Sequence, residues 1–181
     1  YYDASGQNLR VARCTNAACS GSPSLATVDS AGNVGTHTAI TIGLDGFPVI
    51  AYRNGGTGTL KVAKCVDAGC SAPATLSTVD ASGDVGTFTD IVVPADGQPV
   101  ISYYDVGNSA LKIARCANAA CSGAASLATV DGAGATDVGQ YSSIVLSPTT
   151  GAPLVVYYDV TNQDLKLAAC STNACTATLS L

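Results

Sequence analysis

The side chains with the widest chemical reach in this sequence are one histidine, His37, eight cysteines in four Cys-x4-Cys pairs, and thirteen carboxylates, all of them Asp. A lone imidazole is the first place to look for a general base or a metal ligand. The pairs Cys14 and Cys19, Cys65 and Cys70, Cys116 and Cys121, and Cys170 and Cys175 have the residue type for disulfides, for zinc or for a redox couple. The turns Asp29–Gly35, Asp80–Gly86 and Asp131–Gly139 offer carboxylates to calcium, which takes six to eight oxygens. Adjacent tyrosines at Tyr1-Tyr2, Tyr103-Tyr104 and Tyr157-Tyr158 offer rings on which a sugar could stack, with Tyr2, Tyr104 and Tyr158 as candidate ligand-binding residues.

What these residues do depends on the elements that hold them, and the strongest sequence signal there is an internal repeat. Cys14, Cys65 and Cys116 stand 51 residues apart and Cys170 follows 54 after Cys116. The 181 residues divide into units 1–51, 52–102, 103–156 and a partial unit 157–181, together one repeat domain. The longer third interval is accounted for by residues added between Asp131 and Val138 and between Ile144 and Pro153, both in turn-rich segments. With no Glu, Met or Trp in the chain, the strong helix formers are thin and a helical protein is not expected.

Within a unit, four short apolar stretches are separated by turn signals about every 8 to 12 residues. In the middle of the chain they predict strands at Thr87–Val93, Pro99–Asp105, Leu111–Cys116 and Ser126–Asp131. Asp45-Gly46 and Asp96-Gly97 mark tight hairpins between the first two strands of a unit, and the Cys pair closes the third connection. The fold class is therefore all-β, a propeller-like array of four-stranded antiparallel blades with about 51 residues per repeat.

The run Asp96-Gly-Gln-Pro-Val-Ile-Ser-Tyr-Tyr-Asp105, followed by Leu111-Lys-Ile-Ala-Arg-Cys116 and Thr129-Val-Asp131, resembles the tandem repeats of secreted bacterial β-propeller-like proteins. The resemblance covers the whole chain and implies an inner strand ending in Asp-Gly, then a Tyr-Tyr strand, a Lys/Arg strand and an outer strand. The Cys pairs depart from the commoner form of the repeat. It implies no shared enzymatic activity.

The repeat also sorts the chemistry. His37 aligns with Phe88 and Tyr141 in Gly-x-[His/Phe/Tyr]-[Thr/Ser], so it reads as an occupant of an aromatic packing slot and not as a catalytic base. The even number of cysteines and one short pair per unit favour a local disulfide in every unit, stapling a hairpin at the outer edge. Zinc would need two pairs to meet, and the Cys-x-x-Cys form of redox proteins is absent. Asn33 at the position of Asp84 shows that the second loop carboxylate is not repeated, which turn chemistry explains without calcium. Seven of the eight basic residues fall at two positions of the third strand: Arg10, Lys61, Lys112 and Lys166, then Arg13, Lys64 and Arg115. With Asp3, Asp105, Asp159, Asp29, Asp80 and Asp131 recurring at the same period, they read as repeated ion pairs on solvated strands. No metal, cofactor or catalytic constellation is expected, and the chain reads as not an enzyme.

A net charge of −5 gives no basic footprint for nucleic acid, and apolar runs such as 152–158 are far shorter than the roughly 20 residues of a membrane span. Persistent disulfides predict an extracellular or cell-surface location, and the absence of an initiator Met predicts a processed product or a fragment. The first unit opens inside its Tyr-Tyr strand and Thr176–Leu181 stops within an outer strand, so both ends read as unfinished edges. They are covered either by a neighbouring copy or by the rest of a longer propeller. The expected function is an extracellular structural or adhesive repeat protein, with self-association into an end-to-end assembly or filament; the alternative is a carbohydrate-binding, lectin-like module with a glycan partner.

Overall fold

The computed structural model describes residues 1–132, 134, 136–175 and, for the backbone alone, 178–180. It contains four antiparallel sheets in chain order. The first holds Tyr2–Asp3 (β1), Asn8–Arg13 (β2) and Ser24–Asp29 (β3). The second holds Val34–Ile42 (β4), Pro48–Asn54 (β5), Thr59–Lys64 (β6) and Thr75–Asp80 (β7). The third holds Val85–Val92 (β8), Val100–Asp105 (β9), Ala110–Arg115 (β10) and Ser126–Asp131 (β11). The fourth holds Val138–Leu146 (β12), Pro153–Asp159 (β13), Asp164–Cys170 (β14) and Thr178–Ser180 (β15). Every sheet is a meander in which sequence neighbours pair, the outcome of short hairpin connections between alternating strands. No helix occurs among the described residues. The sheets are not closed into a ring.

The four strands predicted in the middle of the chain are those of the third sheet, with the first beginning at Val85 and not at Thr87. The difference has a local cause. Val85 pairs with Asp105 and Thr87 with Tyr104, and then the register shifts so that the next pair is Asp90 with Ser102. Phe88 sits in this β-bulge at φ 51°, as do His37 at 51° and Tyr141 at 54° in the corresponding bulges of β4 and β12. A bulge breaks the two-residue alternation on which strand boundaries are read, while the ladder continues on both sides of it.

The hydrophobic core is divided into three layers, each lying between two consecutive sheets. One joins Leu9 and Val11 to Val34, Ile50, Tyr52 and Ala63. The next joins Val49, Leu60 and Val62 to Ile91, Ile101 and Tyr103, and the last joins Leu111 and Ile113 to Ile144, Val155 and Tyr157. The first strand of one sheet runs over the next-to-last strand of the sheet before it, and the approach is close enough to require glycine. A Cβ on Gly139 would lie 2.6 Å from the Leu111 Cα, and one on Gly35 would lie 2.7 Å from the Leu9 Cα. Both have φ above 100°, so glycine answers the backbone and the contact together.

All four Cys-x4-Cys pairs are disulfides, with Cα separations of 4.7 to 5.1 Å, and no free cysteine remains. The pairing is the local one expected, each pair closing the hairpin to the last strand of its sheet, and three of the four are buried. Cys65 and Cys70 are buried in the layer between the first and second sheets. Cys116 and Cys121 are buried between the second and third, and Cys170 and Cys175 between the third and fourth. Each pair thus packs against the sheet that precedes its own. Cys14 and Cys19, in the first sheet, have no preceding sheet to meet and are exposed. The physical reason for burial is that a disulfide is apolar and packs with the other apolar side chains of the layer.

The C-terminal edge read from the sequence at Thr176–Leu181 falls mostly outside the described residues. Within them, the Thr178–Ser180 backbone pairs with β14.

Candidate functional site

The polar groups that recur in the repeat converge where one sheet meets the next. Each of β3, β7 and β11 ends in Asp, and next to that Asp the pairing register shifts opposite the next-to-last strand, between Leu9 and Arg10, Leu60 and Lys61, and Leu111 and Lys112. The extra residue, Val28, Val79 or Val130, lets the following Asp leave the face its strand parity assigns and enter the boundary with the next sheet.

There the carboxylate meets two partners from that next sheet. The Tyr52 hydroxyl donates to Asp29 at 2.6 Å and the Lys61 ammonium at 2.5 Å. The Tyr103 hydroxyl donates to Asp80 at 2.7 Å and Lys112 at 2.6 Å, while Ser82 adds its backbone N–H at 2.8 Å. The Tyr157 hydroxyl donates to Asp131 at 2.7 Å, joined by Lys166. Each lysine also lies over the ring of its tyrosine, 5.5 to 5.8 Å from the centroid. Arg10 occupies the lysine position in the first sheet and pairs with Asp3 at 3.5 Å.

These are therefore the repeated Lys–Asp pairs expected from the sequence, but they lie between sheets; the pairs at Asp29 and Asp80 are shut from solvent, while Lys166 and Asp131 stay partly exposed. Asp80 is 2% exposed and Tyr103 is fully buried. Burial by itself would push the carboxyls of Asp29, Asp80 and Asp131 up; the hydrogen bonds from lysine and tyrosine outweigh it and hold all three below the usual carboxylate value. The same burial, reinforced by the adjacent carboxylate, pushes the phenols of Tyr52, Tyr103 and Tyr157 far up, so they remain donors at any ordinary pH. A carboxylate, a phenol and an ammonium in contact are acid–base material in an open cleft. At Asp80 they are shut between two sheets and satisfy one another.

The second basic position differs from the sequence reading: its partners are the hairpin carboxylates Asp45 and Asp96 and not the recurring strand-end Asp residues, and Lys64 is buried. Lys64 pairs with Asp45 at 2.8 Å and Arg115 with Asp96 at 2.8 Å, each within its own sheet and with the carboxylate substantially exposed. Asp67 does something different in the second Cys hairpin. It accepts from the N–H groups of Ala72, Ser71 and Gly69, which lowers its carboxyl to about 2.

Two of the three candidate ligand-binding tyrosines are committed to a second row of joints. Tyr2 donates to Asn33 at 2.8 Å and Tyr104 to Asp137 at 2.7 Å, and Arg53, standing where other units have Tyr, pairs with Asp84. Tyr158 is half-buried. With Asp80 held by Lys112 and Tyr103, and Asp84 by Arg53, the carboxylates considered for calcium already have cationic partners. Among the described residues no three His, Cys, Asp or Glu side chains gather as a metal site.

His37 does belong to an aromatic set, as its alignment with Phe88 and Tyr141 indicated, but that set is not buried. The His37 and Phe88 rings meet edge to face at 5.3 Å, Phe88 and Tyr141 lie 4.3 Å apart, and Tyr104 lies 6.2 Å from Phe88. His37 is exposed and Tyr141 is 67% exposed. The signal for this column was present in the repeat; its exposure was not. The four disulfides are consistent with an oxidising environment. No protein-family model matches this chain, and no curated protein does.

Proposed function

We propose that the chain is an extracellular structural or adhesive repeat protein whose sheets act as propeller-like blades, joined face to face through one recurring joint. The observation that carries the reading is the threefold recurrence of the Asp–Tyr–Lys contact between consecutive sheets, at Asp29, Asp80 and Asp131. The recurring charged and phenolic groups are used to fasten one repeat to the next, and disulfides are built into the layers between them. Such use favours a mechanical role over catalysis, so the protein is read as not an enzyme and as needing no cofactor.

The joint also supports self-association. The face that receives Asp29 in the second sheet is open on the first sheet, where Tyr1, the counterpart of buried Tyr52, is 48% exposed. On the other side of the first sheet, Ile40 of β4 is 58% exposed, against 4% for its counterpart Ile91, and borders a cavity of about 200 Å³ between the first and second sheets, lined also by Tyr1, Arg10 and Val11; the open face is the one that presents Tyr1. A further repeat, from a longer chain or from a second copy, fits this face. In the end-to-end assembly it is a second copy. Electron microscopy of the native material tests this: a helical repeat with one 181-residue copy per step supports the assembly. Closed rings built from one longer chain, or isolated monomers, overturn it.

A further inference from the structure

The residues outside the joints that bear most of the unexplained strain are the three rings of the bulges. Among the described residues, ten that are not glycine have positive φ. Four are the half-cystines Cys19, Cys70, Cys121 and Cys175, held by their disulfides, and Gln7, Ser109 and Gln163 sit at the hairpins that precede β2, β10 and β14. The remaining three are His37, Phe88 and Tyr141, each a bulky side chain in the left-handed region, where about 1–3 kcal/mol per residue is stored. Burial does not offset that cost at His37 or Tyr141, which are exposed. Glycine or asparagine would adopt the same backbone with less strain.

What surrounds the rings narrows the ligand. The column is continuous through its contacts of 5.3 and 4.3 Å, so it presents one aromatic surface across three sheets. Its neighbours along the bulged strands include Thr36, Thr38, Thr89, Gln140 and Ser143; the hydroxyls of Thr36, Thr89 and Ser143 already donate, to Arg53, His37 and Asp90, and keep their acceptor lone pairs, while Ser142 is buried against Phe88 and Ser102. Nδ1 of His37 accepts from the Phe88 N–H at 3.2 Å, which leaves the ring hydrogen on Nε2 as a donor at one end of the column. Arg53, whose charge is felt at His37, is already paired with Asp84. An apolar platform bordered by hydroxyls and amides, whose neighbouring charges Arg53 and Asp90 are already partnered, matches a ring that has a C–H face and a hydroxyl edge.

We propose that His37, Phe88 and Tyr141 form a binding surface for a neutral glycan, whose pyranose rings stack along the column while their hydroxyls meet Nε2 of His37 and the threonine and serine border. The proposal moves the glycan site from Tyr2, Tyr104 and Tyr158 to the bulges, and it stands whether or not the chain assembles end to end.

The test begins with a printed array of neutral oligosaccharides, followed by titration of the strongest hit while the Hε1 resonance of His37, the single histidine, is observed. Binding is expected to shift that resonance. Tyr141→Asn and His37→Asn accept the left-handed backbone, so they should leave the melting temperature unchanged or raised while weakening binding by about tenfold or more. A blank array, a preference for acidic glycans, a hit that survives both substitutions, or a His37 resonance that moves only with an aromatic peptide would overturn the proposal. A melting temperature that falls in both variants with binding intact would assign the rings to packing and overturn it equally.

Discussion

Asp80 and Lys112 stand 32 residues apart in the chain and meet at 2.6 Å across the boundary between the second and third sheets, with the Tyr103 hydroxyl on the same carboxylate oxygen. The contact fixes how two repeats lie against each other, because each sheet supplies groups that the other must satisfy.

Removing the carboxylate leaves a buried ammonium and a buried phenol without their acceptor. Asp80→Ala is expected to lower stability by about 3–5 kcal/mol, the usual cost of breaking a buried pair from one side. Asp96→Ala, at the more exposed pair with Arg115, should cost about 1 kcal/mol or less. Urea unfolding of the two variants measures the contrast; equal losses would remove the joint from its central place.

The acid side of the pH dependence follows from the lowered carboxyls, among them Asp29, Asp80 and Asp131 of the joints. A carboxyl held below its unfolded value of about 3.9 contributes stability that is present above that value. The contribution is lost as pH falls through the lower folded value. The melting temperature should therefore be flat above about pH 5 and fall below about pH 4, and Asp80→Asn should shift the whole curve down and make the acid limb shallower.

The alkaline side carries the opposite sign. Tyr52, Tyr103 and Tyr157 have raised phenol values, so their stabilisation is complete below about pH 10, where unfolded tyrosine ionises, and declines above it. Absorbance of tyrosinate should show these three of the eight tyrosines resisting ionisation until the chain unfolds. Ionisation of all eight in one early step would contradict the buried joint.

Each disulfide closes a very short ring, for which loop entropy gives about 2 kcal/mol. Non-reducing digestion and mass spectrometry should recover every Cys-x4-Cys peptide internally linked. Replacing Cys116 and Cys121 by alanine, or Cys65 and Cys70, should cost more than replacing Cys14 and Cys19, because the buried pairs also fill a layer between sheets.

Gly139→Ala places a methyl group 2.6 Å from the Leu111 Cα at a φ of 106°. The third and fourth sheets would have to separate, so a loss of roughly 2 kcal/mol or more is expected, while Gly151→Ala, in open space, should cost only its backbone strain. Thermal unfolding of the pair reads the difference.

The sequence by itself determined what is local or periodic. Strands Ser126–Asp131 and Ser24–Asp29 end at the Asp where the repeat ends its apolar run, and each cysteine pairs with the one five residues on, because hairpin pairing and short ring closure need only neighbouring residues. The aromatic kinship of His37, Phe88 and Tyr141 was legible for the same reason. Tertiary structure decided which side each of these groups faces. Cys70 and Cys175 are buried because a preceding sheet covers them, and Cys19, of the same type and place in its repeat, is exposed because none does. Asp80 is buried because a bulge turns it into the next sheet, where Tyr103 and Lys112 await it, whereas Tyr141 is exposed because another bulge turns it out. A bulge changes the facing of a residue without changing its type or its place in the repeat, so the period is visible in the sequence while the side that meets solvent is settled only when two sheets pack together.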